Sequence, residues 1–143
     1  MTTEQNKAIV RRFFEAFEAN DEAAMKAVLA PDMVANTLGV HGRQNREEML
    51  QGIRMWNATF SDTRFEILDQ VAEGDTVVTR MVFHTTHSKA EFRGVAPTGK
   101  TCESPAVTIE RIKDGKIVER QTYGDQSSMW EQLGLVPSPQ PAR

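Results

Sequence analysis

Asp125 is the residue whose position best suits acid–base chemistry. It ends a strand-like segment that follows the hairpin signal of Asp114 and Gly115. An apolar cavity strips water from a carboxyl group, which in general raises its pKa and suits it to proton transfer. Asp125 could equally cap the short helix predicted just after it, because aspartate accepts hydrogen bonds from the first N–H groups of a helix. The residues alone leave both roles open.

The alternation of a strand predicts which side chains accompany Asp125. Alternate residues share a face, so a regular strand would point Gln121 and Tyr123 the same way as Asp125. Tyr123 could donate a hydrogen bond to a substrate oxygen, and Gln121 could contact the substrate. Glu119 would share this face, and we expect it to pair with Arg80 of a neighbouring strand. The opposite face would carry Val118, Arg120 and Thr122.

Large apolar side chains could form the wall of such a cavity. Each of them is individually more typical of a core than of a ligand contact. Together they favour an apolar or aromatic small-molecule ligand. They are Trp56, Phe60, Met81, Phe83 and Trp130.

The histidines and the single cysteine do not form a metal-binding pattern. His84 and His87 are three positions apart on a predicted strand, so they face opposite sides. No HExxH or paired CxxC motif is present, and we therefore predict no metal site. Cys102 is interpreted as a packed strand residue rather than a nucleophile.

Composition is typical of a globular domain and narrows the class of partner. The 143 residues carry a formal net charge of -3 with mixed signs, which argues against nucleic-acid binding. No apolar run approaches the roughly 20 residues of a membrane span, and the first residues lack a secretory pattern. A single cysteine fits a reducing compartment, so we expect a cytoplasmic protein without membrane contact.

Helices are predicted in the first half of the chain and strands in the second. Capping-box spacing at Thr2 and Gln5 opens a first helix, Asn20 or Asp21 opens a second, and segment 45–58 forms a third. A period of two then predicts a run of antiparallel strands and a short final helix. One or two short strands are predicted within residues 32–40. The later run begins near Arg64 and continues over 77–87, 101–112 and 117–125, and the helix spans 128–133.

Several segments resemble the SnoaL-like polyketide cyclases, also called ester cyclases, of the NTF2-like superfamily, and they follow one another along the chain in the same order as in that family. The most specific are GVAPTGK and the DGKIVE segment that leads to Asp125. The resemblance covers nearly the whole chain. Its other segments are NKAIVRRFFEAFEAND, EGDTVVTRMVFHTTH and WEQLGLVP.

The resemblance implies an α+β cone with three N-terminal helices packed on a strongly curved, mixed or antiparallel sheet, and a short C-terminal helix. It implies one domain over residues 1–136, followed by a tail at 137–143 that we expect to be disordered. It also implies a homodimer and a hydrophobic small-molecule substrate. Family members use a carboxylate at the position of Asp125 for an intramolecular aldol closure without a metal or organic cofactor.

Departures from the family pattern occur next to this carboxylate. Arg120 and Gln121 stand where members often carry histidine and tryptophan, and Asn36 replaces a histidine of the first strand segment. His87 matches a histidine of the family. The resemblance thus implies that Asn36, His87 or Tyr123 would stabilise an enolate oxygen.

Other functions fit the same fold, because a fold does not fix a function. The domain could bind a small molecule without converting it, or it could serve mainly for dimerisation. An epoxide-opening hydrolase would need an aspartate–arginine–aspartate group. Asp125 and Arg80 would supply only part of it, so this activity ranks below cyclisation.

Overall fold

Four helices and six strands form the part of the chain that the computed structural model describes, residues 1–135. The tail predicted at 137–143 lies outside the described residues. The helices are α1 (Thr3–Glu18), α2 (Glu22–Val28), α3 (Arg46–Thr59) and α4 (Gln126–Gln132). The strands are β1 (Leu29–Asn36), β2 (Gln44–Asn45), β3 (Phe60–Glu73), β4 (Thr76–His87), β5 (Thr101–Lys113) and β6 (Lys116–Gly124).

Local capping signals set the starts of the long helices. At α1, the Thr2 hydroxyl accepts a hydrogen bond from Gln5 N at 3.1 Å, and Gln5 Oε1 accepts one from Thr2 N at 2.8 Å. At α3, Asn45 and Glu48 form the same reciprocal pair at 2.8 and 3.0 Å. Both capping boxes satisfy N–H groups that a helix leaves without partners, and both predicted helix starts are confirmed.

The strands form one mixed sheet in the order β2-β1-β6-β5-β4-β3. Strands β3 to β6 are an antiparallel meander, whereas β1 pairs with β6 in parallel. The predicted α+β class, with three helices before the meander and one after it, is confirmed.

The helices cover one face of the sheet, which we call the inner face. Phe13 and Phe14 of α1 and Leu50 of α3 are buried against Met33 and Met81 of the strands. Full burial of each such side chain contributes about 1.5–3 kcal/mol to folding. A second cluster of Phe60, Cys102, Met129 and Leu133 joins α4 to the other end of the sheet.

Strand β6 contains a β-bulge that the regular alternation did not predict. Ile112 pairs with Ile117, but the preceding Arg111 pairs with Glu119, so Val118 is an extra residue on β6. Ile117 and Val118 both pack on the core. The bulge therefore reverses the predicted facing of the β6 residues that follow it, 119–124, because side chains alternate strictly on either side of such an insertion.

Candidate active site

Two adjoining cavities lie between the inner face of the sheet and the helices. The smaller has a volume of about 150 Å³ and the larger about 490 Å³. They have the side chains of Phe17, Trp56, Arg120 and Met129 in common, so one ligand could occupy both. The volume of the larger cavity matches that of ordinary small-molecule sites.

Asp125 lies on the wall of the smaller cavity, in an exposed position where the cavity meets solvent. Strand β6 ends one residue before it, and α4 begins one residue after it. Its Oδ1 accepts a hydrogen bond from Ser128 N at 2.9 Å, which makes it the N-cap of α4. Both roles predicted for Asp125, helix cap and cavity residue, are thus compatible in one geometry.

The bulge brings a different set of β6 side chains to the cavity than the sequence predicted. Arg120, Thr122 and Gly124 line the smaller cavity. Gln121 and Tyr123 point to the outer face, where the Tyr123 hydroxyl donates to Gln121 Oε1 at 3.0 Å and the Tyr123 side chain is 55% exposed. The predicted facing of β6 is corrected accordingly.

Two other predicted polar residues also lie away from the cavity walls. Asn36 is exposed and pairs in register with Gln121, which places it on the outer face. His87 is on the inner face but is fully buried, with its ring centre 5.2 Å from that of Phe60. Its Nε2 lies 2.7 Å from the Ala90 carbonyl oxygen, a contact that holds the loop after β4.

Most of the predicted aromatic and apolar wall residues do line the cavities. Met81 and Phe83 line the smaller cavity, Trp130 lines the larger, and Trp56 lines both. Phe60 lies behind Trp56 in the second core cluster, with ring centroids 4.1 Å apart. The wall of the smaller cavity is therefore largely apolar and includes several aromatic rings.

A buried ion pair, which the sequence did not reveal, stands next to this apolar wall. Glu110 has no exposed surface, and Arg120 directly opposite it on β6 is 7% exposed. Arg120 Nε lies 3.0 Å from Glu110 Oε2, in the geometry of an ion pair rather than an aligned hydrogen bond. The Thr108 hydroxyl donates to the other carboxylate oxygen, Oε1, at 2.8 Å.

Burial controls the electrostatics of this pair. Loss of hydration raises the pKa of Glu110, while the Arg120 charge and the Thr108 hydrogen bond oppose the rise. The guanidinium lies 4.7 Å from the centre of the Phe13 ring and 5.4 Å from that of Phe14, so α1 also holds it in place.

The carboxylate predicted to pair with Arg80 has another partner. Glu119 accepts a hydrogen bond from Arg111 at 2.7 Å, and Arg80 forms its ion pair with Asp69 at 3.1 Å. Both pairs are exposed on the outer face. Arg80 lines neither cavity, so it does not accompany Asp125 as the epoxide-hydrolase alternative required.

Two further properties concern metals and membranes. Within residues 1–135, no three histidine, cysteine, aspartate or glutamate side chains converge as a metal site would require. None of the described helices combines the length and the apolar character needed to cross a bilayer.

Comparison with known proteins gives the family. The model of the SnoaL-like polyketide cyclase family matches residues 7–133. A curated relative, the aklanonic acid methyl ester cyclase AcmA of Streptomyces galilaeus, is 27% identical over 129 residues, which are 89% of each chain.

Solved structures agree with this match. IdmH, a proposed polyketide cyclase from Streptomyces antibioticus, is 35% identical and superposes with a TM-score of 0.82 over 91% of this chain and 99% of its own. AclR, a proposed hydroxylase from Streptomyces galilaeus, is 26% identical with a TM-score of 0.83 over 95% of this chain and 100% of its own. The chain belongs to the SnoaL-like polyketide cyclase family.

Proposed function

We propose that the protein is a cofactor-independent acid–base enzyme, a cyclase or a related isomerase, with Asp125 as its general acid and base. Its substrate is a hydrophobic small molecule that bears a carbonyl group. The observation that carries the proposal is the placement of the Asp125 carboxylate on the wall of an otherwise largely aromatic and aliphatic cavity. A base in that position can reach a C–H bond of a ligand packed against the wall.

The proposed step is an intramolecular aldol closure. The Asp125 carboxylate removes a proton from the carbon next to a carbonyl group, and an enolate forms. The enolate carbon attacks a second carbonyl carbon of the same molecule, so one C–C bond forms and the attacked oxygen becomes an alkoxide. The Asp125 carboxyl returns its proton to that alkoxide. Substrate and product have the same composition, so no oxidant or reductant is consumed.

The relatives guide the choice of substrate. AcmA is named for the cyclisation of aklanonic acid methyl ester, and IdmH is a proposed polyketide cyclase. Aklanonic acid methyl ester is accordingly the first compound to test. The larger cavity, about 490 Å³, has the volume of an ordinary small-molecule site.

The first test is the Asp125→Asn variant. Asparagine is as good an N-cap as aspartate, so α4 should remain in place while proton transfer is lost. We expect turnover of aklanonic acid methyl ester, followed by chromatography, to fall by about 100-fold or more. The melting temperature should stay close to that of the wild type.

A matched control is available at another helix. Asp21 caps α2 by accepting a hydrogen bond from Ala24 N at 3.1 Å and lines neither cavity. Asp21→Asn makes the same chemical change and should leave turnover unaltered. Full activity of Asp125→Asn would refute the acid–base role.

A non-catalytic binding domain is the second candidate, and the N-cap geometry of Asp125 favours it. An aspartate retained only to start α4 would have no part in chemistry. In that case the cavity would bind the ester without converting it, and Asp125→Asn would leave its affinity unaltered. Conversion by the wild type that depends on Asp125 would exclude this alternative.

We also propose that the chain forms a homodimer through the outer face of the sheet. Val71, Val78 and Ile109 pair in register across three strands on that face, and Val107 and Tyr123 stand in the adjacent row. Val71 is 66% exposed in the single chain. An apolar row of this kind loses contact with water when it packs on a second copy.

A further inference from the structure

We propose that Arg120 is the residue that selects and orients the ligand, by donating hydrogen bonds to a negatively polarised oxygen such as an enolate, phenolate or carboxylate. This role rests on the proposed function, since the oxygen in question would be the one that gains charge when Asp125 removes a proton. Arg120 itself departs from the family pattern, in which a histidine often occupies this position.

The Arg120 guanidinium has N–H donors that no group in the described part of the chain uses. It carries five N–H groups and cannot be neutralised at ordinary pH. Nε faces Glu110, and Nη1 donates to the Thr122 hydroxyl at 3.3 Å, a long contact. Among residues 1–135 no group accepts a hydrogen bond from Nη2, and Nη2 is not fully buried, so it remains open to a ligand. A charge-assisted hydrogen bond from Nη2 to a ligand oxygen would be stronger than one between neutral groups.

The ion pair is oriented with its positive end toward the ligand. Arg120 lines both cavities, whereas Glu110 lines neither. Glu110 therefore acts as a positioning residue, because it holds Nε from behind and leaves the other end of the guanidinium on the cavity wall. Phe13 and Phe14 fix the plane of the guanidinium from the side of α1.

The surroundings specify the rest of the ligand. The walls that flank Arg120 carry Phe14, Phe17 and Trp56, which suit flat aromatic or fused-ring surfaces. A buried, fixed cation in such walls discriminates between ligands that differ only in one charged oxygen. The chemical class is thus an aromatic, polycyclic compound with an anionic or enolisable oxygen near one end.

The experiment measures binding and needs no turnover. Anthraquinone carboxylate and anthraquinone carboxamide have the same shape and differ in charge, and their affinities can be followed by quenching of tryptophan fluorescence. We expect Arg120→Met to lower the affinity for anthraquinone carboxylate about 10-fold or more, as the loss of a charge-assisted hydrogen bond predicts. The carboxamide should change by less than about threefold. Arg120→Lys, which keeps the charge but loses the planar fork, should give an intermediate loss.

Arg93 supplies the matched control. It lines the larger cavity with its guanidinium 4.5 Å from the ring centre of Trp130, and it is exposed. Arg93→Met removes the same charge from a solvated position, where screening weakens its effect. The carboxylate should therefore bind this variant nearly as well as the wild type.

Three results would overturn the proposal. The first is an equal loss of affinity for both probes in Arg120→Met. The second is an unchanged affinity for the carboxylate in that variant. The third is a loss of affinity for the carboxylate in Arg93→Met as large as that in Arg120→Met. If Arg120→Met does not fold, Glu110→Gln combined with Arg120→Met removes both charges and should show the same selective loss, because paired replacement is tolerated better than single replacement. The probes are bound without turnover, so failure of the acid–base mechanism would leave this result intact.

Discussion

Glu110 and Arg120 carry opposite charges in a place that water hardly reaches. Removing each ion from water costs several kcal/mol, and only their mutual attraction and the Thr108 hydrogen bond offset that cost. Either charge without the other would be strongly unfavourable. The two residues should therefore behave as a unit in folding.

Loss of one partner should show this coupling in stability. We expect Arg120→Met to lower the free energy of unfolding by about 3–5 kcal/mol, because it leaves the Glu110 charge buried without a counter-ion. Glu110→Gln combined with Arg120→Met should cost less than the single variant. Urea titration followed by circular dichroism measures both, and additive losses would contradict the coupling.

The pH dependence of stability should carry the same signature. Because burial raises the pKa of Glu110 above 4.5, there is a pH range above 4.5 in which the folded protein binds a proton that the unfolded chain has released. Stability contributed by that proton is present at low pH and decreases as pH rises from about 4.5 through the folded value. Glu110→Gln should lack this decrease. The exposed carboxyl groups with lowered pKa, such as Glu119, are common to both proteins and cancel in the difference. Identical pH profiles of the free energy of unfolding in the wild type and in Glu110→Gln would refute this prediction.

Cys102 should be unreactive in the folded protein. Burial raises the pKa of its thiol to about 11. At about pH 8 the thiolate fraction is then roughly 100-fold lower than for an ordinary thiol, so the reaction with a disulfide reagent should be slow. Unfolding in urea should restore the full rate. Fast labelling of the folded protein would contradict the burial of this side chain.

At the scale of elements, the bulge in β6 decides which residues form the site. Without it, the register set by Lys113 and Lys116 would continue, and Glu119 would stand opposite Glu110 on the inner face. Two like charges directly opposite each other are unfavourable in any sheet, and more so when buried. The bulge instead places Arg120 opposite Glu110, which explains why the sequence adopts it.

This difference marks the limit of prediction from sequence. Both capping boxes and the hairpin turn at Asp114 and Gly115 depend on neighbouring residues, so their positions could be predicted. The facing of β6 depends on a charge pair that joins two strands, and regular alternation misassigned it by one residue. Counting outward from the turn with one extra residue on β6 would have revealed Glu110 and Arg120 as partners.

Gly124 shows how closely β6 approaches its surroundings beside the site. A methyl group there would lie 3.3 Å from Leu38 Cδ2 and 3.3 Å from the Pro105 carbonyl oxygen. We expect Gly124→Ala to lower stability by about 1–3 kcal/mol through overpacking. Thermal unfolding would measure the loss.

Gly52 provides the opposite case. It lies within α3, and a methyl group there would meet only Gln44 Nε2 at 4.0 Å. Gly52→Ala should raise stability by about 0.5–1 kcal/mol through better helix propensity. A change in stability of the same sign in Gly124→Ala and Gly52→Ala would contradict the overpacking expected at Gly124.

At the scale of the whole molecule, the two faces of the sheet have separate tasks. The inner face carries the cavity and the buried ion pair, whereas the outer face carries exposed ion pairs around an apolar row. The predicted substrate contacts of Gln121, Tyr123 and Asn36 fall on the outer face. The fold class followed from the order of helices and strands, but the division of side chains between these faces depended on the register.

The homodimer can be tested through that row. Light scattering should give twice the chain mass of 16.1 kDa for the wild type. Val71→Lys should yield the single chain, since a charge in an apolar interface is costly to bury. Val40→Lys is the control, because Val40 is exposed near the larger cavity and outside the row. A dimer that persists in Val71→Lys would place the interface elsewhere.

The extra residue at Val118 also affects how this gene can change in length. Loss of codon 118 would straighten β6 and keep Arg120 opposite Glu110, because the pairing on either side of the bulge would simply join. Loss of codon 121 would exchange the faces of all later residues and turn Tyr123 inward. Loss of residue 118 is therefore compatible with the same cavity, and loss of residue 121 is not.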